Sequence, residues 1–131
     1  MRYVTLAGRI LYSLIFIATL TTHFTAAAVG YATQKGVPMA GVLVPLSGVI
    51  AAVGGLSVLL GYQAKLGAWL LVLFLVPVTF MMHNFWAVQD PMMRQLDIGM
   101  FMKNIALLGA ALLITQFGAG PMSMDARRSG A

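Results

Sequence analysis

No cysteine occurs in the 131 residues. Its absence excludes disulfides, thiolate nucleophiles, cysteine-ligated zinc and iron–sulfur clusters, so any redox role would need a bound cofactor. Acidic side chains are nearly as scarce, three against eight Lys and Arg, and only 8% of residues are charged. So few charges cannot form the polar shell of a soluble domain this long. What fills the chain instead is apolar: 60% hydrophobic residues and a mean hydropathy of +0.91 place it in the membrane class. The net charge of +5 is scattered singly, with Arg127-Arg128 as its one adjacent pair. Spread in this way, the positives read as topology signals, and no nucleic-acid partner is expected.

Four apolar segments are predicted, at about residues 4–29, 39–60, 66–83 and 98–117, followed by a solvated tail at 118–131. The expected architecture is an all-α, up-and-down four-helix transmembrane bundle forming a single membrane domain. The first run follows Arg2 and Arg9 and passes through Thr25-Ala26-Ala27-Ala28, the outline of a cleavable signal. It is long enough to span, so an uncleaved first helix is expected. In the second segment Gly41, Gly48 and Gly55 recur every seven residues, a stripe that suits close helix packing in lipid. Pro45 and Pro77 are expected kinks, and Asp90-Pro91 reads as an N-cap followed by proline at the first helical position. Both termini then fall on one side with Arg2, Arg9, Lys65, Arg127 and Arg128, against Lys35, Arg94 and Lys103 on the other. By the positive-inside rule that side is the cytoplasm.

Polarity is concentrated between Phe80 and Asn104. Folding the segments up and down brings His23 to the same outer level as His83, Asn84 and the start of the fourth segment, which carries Lys103 and Asn104. With Trp86 as an interfacial aromatic, these six form a candidate ligand-binding cluster. If the last helix enters the membrane near Leu96, Lys103 lies about 10 Å along it at roughly 1.5 Å per residue. A cation at that depth needs a partner, and His83, Asn84 or Asp90 across the bundle suit it better than Asp97, which lies on another face. The rival account has Lys103 snorkelling and the histidines in structural hydrogen bonds. No metal is expected, because the two histidines are far apart without a carboxylate set. Six of the ten methionines fall between Met81 and Met102, and they read as flexible filler rather than copper ligands.

Several short motifs carry a family resemblance: Gly8-Arg9-Ile10-Leu11, Lys35-Gly36-Val37-Pro38, Val53-Gly54-Gly55-Leu56 with Leu60-Gly61-Tyr62, His83-Asn84-Phe85-Trp86, and the run from Phe101 to Gly109. In order and spacing they resemble the DoxX family over residues 8 to 124. That resemblance implies a bacterial cytoplasmic-membrane protein acting as an accessory or anchor subunit of a quinone-linked redox complex. His83, Trp86, Lys103 and Asn104 match the family pattern, while His23 and Ala51 depart from it. On this footing a quinone is the candidate cofactor, with Lys103 and a histidine stabilising and protonating its oxygens. The candidate partners are the bilayer, a redox enzyme subunit and a second copy of the chain. The alternatives are a ligand-free scaffold held by the glycine stripe and, third, a small-molecule transporter. Catalytic residues are not assigned.

Overall fold

The computed structural model describes residues 1–130. Four stretches are long and apolar enough to cross a membrane, namely Arg2–Thr22, Ala40–Leu60, Ala64–Ala87 and Pro91–Phe117, and the chain is an all-helical, multi-pass membrane protein. The helices are α1 (Arg2–Ile17), α2 (Thr19–Thr22), α3 (Ala26–Gln34), α4 (Ala40–Leu60), α5 (Ala64–Met82), α6 (Pro91–Phe117) and α7 (Met124–Ser129), with a 3-10 turn at Phe85–Ala87 before α6.

The first expected segment, about 4–29, is divided rather than continuous. Hydroxyls of Thr19, Thr21, Thr22 and Thr25 each donate to the carbonyl three residues back, a competition that loosens a helix. The helix ends at Thr22 and a new one begins at Ala26, where the Thr25 hydroxyl caps α3 by accepting from the Ala28 N–H at 3.1 Å. At the other loop the expected signal holds. Asp90 accepts from the Met93 N–H at 2.9 Å, with Pro91 at the first helical position. At 27 residues α6 is roughly 40 Å long, more than the hydrocarbon thickness.

In the bundle α1 packs on α4, α4 on α5 and α5 on α6, and the Tyr12 hydroxyl reaches across to the Leu107 carbonyl at 2.9 Å. Phe16, Ala51, Val58, Leu71, Phe74, Leu75 and Ala111 form the shared core. Small residues set the spacing. A Cβ on Gly48 would lie 2.6 Å from the His23 Cβ, and one on Gly55 would lie 2.9 Å from the Phe16 Cβ. The α4–α5 seam rests on a glycine outside the seven-residue stripe: a Cβ on Gly54 would meet Leu71 at 2.8 Å and the Gly67 carbonyl at 2.9 Å. Gly41, grouped with Gly48 and Gly55 by periodicity, faces open space.

The expected solvated tail keeps most of its side chains exposed but is docked onto the bundle by hydrogen bonds. The Asp125 carboxylate accepts from the Gln63 and Ala64 N–H groups at 2.8 and 2.9 Å, capping α5 from the far end of the chain. The Asp125 N–H donates to the Gly61 carbonyl at 2.7 Å, and Arg9, only 5% exposed, donates to the Met122 carbonyl at 2.6 Å. Both ends of the chain therefore meet at one end of the bundle.

Candidate functional site

Between the end of the first span, α3, α4, α5 and α6 lies a cavity of about 640 Å³. Its wall is mainly apolar, with Phe16, Ile50, Phe74, Leu75 and Leu107 deep inside. It exists because the threonine break turns α3 back over the bundle, where Ala28, Tyr31 and Ala32 become part of the wall. His83, Lys103 and Asn104 contribute polar groups from the α5–α6 side, and Thr22 and His23 from the opposite side.

Among the residues predicted from sequence, His23, His83, Lys103 and Asn104 line this cavity, whereas Asn84 and Trp86 do not. Trp86 is 57% exposed and packs edge-on to Phe85 and Phe101 at ring separations of 5.3 and 6.2 Å. Asn104 is 4% exposed, and its carboxamide makes no hydrogen bond among the described residues. Lys103 finds only the Met100 sulfur, 3.6 Å away on its own helix, a weak acceptor. The expected partners across the bundle are otherwise engaged, Asp90 in capping α6 and Asn84 with a different lysine.

That lysine is Lys35. Its ammonium donates to Asp97 at 2.8 Å and to Asn84 at 3.2 Å, tying the end of α3 to α6 and to the corner after α5. The His83 Nδ1 lies 3.6 Å from the other Asp97 oxygen, too far for a hydrogen bond, and is buried without a partner. Burial opposes the charge on Lys35, but the Asp97 bond, with Tyr31, outweighs it and holds the ammonium above the ordinary lysine value. Sequence reasoning missed this tie because Lys35 stands in a loop, 62 positions from Asp97.

The SURF4 family model matches residues 1–129. The chain belongs to the SURF4 family. Similar SURF4-type proteins include the Surfeit locus protein 4 homolog of Schizosaccharomyces pombe, 27% identical over 127 residues, covering 96% of this chain and 38% of the relative. The ER-derived vesicles protein ERV29 of Saccharomyces cerevisiae is 27% identical over 126 residues, with 96% of this chain and 34% of the relative covered. The inner membrane protein YqjF of Escherichia coli is 30% identical over 122 residues, covering 92% of this chain and 88% of the relative. The chain thus spans little more than a third of the two yeast relatives. No solved structure matches it significantly.

Membership of the SURF4 family overturns the DoxX resemblance and, with it, the quinone-linked redox subunit. The scaffold and transporter alternatives gain no support from the relatives either. The physical reason for the mistake is visible in the motifs. Glycine pairs at helix crossings, Gly61 at a helix end and an aromatic after a span serve tight packing and interfacial placement in any small membrane bundle. Matches of that kind report architecture more than ancestry.

Proposed function

We propose that the chain is a membrane receptor: it holds a ligand in the cavity beneath α3 and exchanges it at the face opposite the termini. Asn104 carries this reading. The residue is 4% exposed and lines the cavity, and its carboxamide, without a hydrogen-bond partner among the described residues, is open to an occupant that would meet it. The cavity size also falls within the usual range for small-ligand sites, about 300–1,000 Å³. Two relatives are named for a Surfeit locus and for ER-derived vesicles and a third for an inner membrane, so a shared role belongs to the membrane unit itself rather than to one organelle.

For this chain the reading places the protein in a bacterial cytoplasmic membrane with both termini in the cytoplasm. The near full-length overlap with the E. coli inner-membrane relative supports the first point, and the five positives on the terminal side support the second. The test is native mass spectrometry of the chain released from gentle detergent. A bound mass should accompany the wild type and fall at least tenfold in Ser47→Trp, which fills the cavity, and in Asn104→Leu. A ligand retained equally by both folded variants, or a wild type that arrives empty, sinks the receptor reading.

A further inference from the structure

The cavity lining restricts what can be held there. Neither aspartate nor glutamate is among its residues, although Lys103 contributes an ammonium and Asn104 a free carboxamide. Each of the chain's three carboxylates is already engaged: Asp90 caps α6, Asp125 caps α5 and Asp97 takes Lys35. Lys103, at the open rim of the cavity, is left with a thioether, and its ammonium is free to take an anion there. The other polar groups in the wall are hydroxyls and the imidazoles of His23 and His83, none of them a carboxylate, and the rest is aliphatic and aromatic, with Phe16, Ile50 and Leu75 in it.

We infer that the cavity takes a single-chain amphiphile with a carboxylate head, a long-chain fatty acid, its head on Lys103 and Asn104 and its chain against Phe16, Ile50 and Leu75. This inference rests on the receptor reading and names its ligand class. Charge complementarity selects the head: Lys103 is the one Lys or Arg in the lining and matches one carboxylate, whereas a dianionic phosphate would call for a second cation. A hydrogen bond between two ionised groups is stronger than a neutral one, and the Asn104 amide supplies a second donor. Volume selects the tail, because about 640 Å³ suits one extended chain and not the pair carried by a phospholipid.

The experiment uses the purified full chain in nanodiscs of uncharged phosphatidylcholine, labelled with a palmitate analogue bearing a mid-chain diazirine. Adducts should map to the Phe16–His23 stretch or to Ile50 and Leu75. Unlabelled palmitate should compete at least tenfold better than hexadecanol or hexadecylamine. Lys103→Gln should lower labelling about tenfold, and Lys103→Arg should retain it. Should Lys103→Gln fail to fold, Lys103→Arg and the competition series still decide the matter. Hexadecanol competing as well as palmitate overturns the acid assignment and leaves the receptor reading standing. Adducts confined to lipid-facing positions such as Leu113 also overturn it, as does a peptide as the mass that accompanies the purified chain.

Discussion

Asp97 is 7% exposed; one of its oxygens accepts from Lys35 at 2.8 Å, while the other lies 3.6 Å from the His83 ring, beyond hydrogen-bond reach. Removing one member of such a pair leaves the other charge buried, which costs more than the pair contributes. Asp97→Leu should therefore destabilise the protein by roughly 2–3 kcal/mol, the low end of the buried range because Lys35 retains some solvent contact. Lys35→Met combined with Asp97→Leu should recover most of that loss, as thermal unfolding in detergent would record; two losses that simply add would refute the coupling. Because the Lys35 value is raised on folding, the tie's contribution is complete below the ordinary lysine value of 10.5 and fades only as the pH climbs through the raised one. At this scale the sequence was partly legible. His83, Lys103 and Asn104 stood out as polar groups in an apolar run, but their partners did not, since spacing along one helix says nothing of a lysine 62 positions away.

The helices themselves were read well where their ends carry caps and poorly where side chains argue with the backbone. Asp90-Pro91 announced the start of α6, while the threonines that end the first span looked like more of the same apolar run. That break shapes the cavity, since it frees α3 to supply part of its wall. The glycine stripe shows the limit of periodicity: a repeat of seven identifies a face but not which of its members touches a neighbour. Gly48→Leu or Gly54→Leu drives a side chain into His23 or into Leu71 and the Gly67 carbonyl, and overpacking of this kind typically costs about 1–3 kcal/mol or more. Gly41→Leu meets nothing and should leave the unfolding midpoint within a degree or two. Equal losses at Gly41 and Gly54 would mean that α4 does not pack on α5 as described.

For the molecule as a whole, contacts join the two ends of the chain at one end of the bundle. Arg9 on α1 holds the Met122 carbonyl, and Asp125 caps α5 while its own N–H binds the Gly61 carbonyl. One end of the bundle thus collects the start of α1, the α4–α5 turn and the C-terminal segment, and the turn before α6 must lie at the other. Composition alone indicated four spans and a shared side for the termini, but it took the C-terminal segment for a free tail, because a six-residue helix with two arginines has no apolar face to betray its docking. A reporter inserted after Gln89 should therefore be active outside the cytoplasm and one fused after Ala131 inside it. Asp125→Ala should lower stability by about 1–2 kcal/mol, as loss of a cap does, without changing either reporter, since the spans and their flanking positives set the orientation. Two reporters active in the same compartment would require an odd number of crossings between them to become even. The cavity walls, drawn from all four spans, would then not come together.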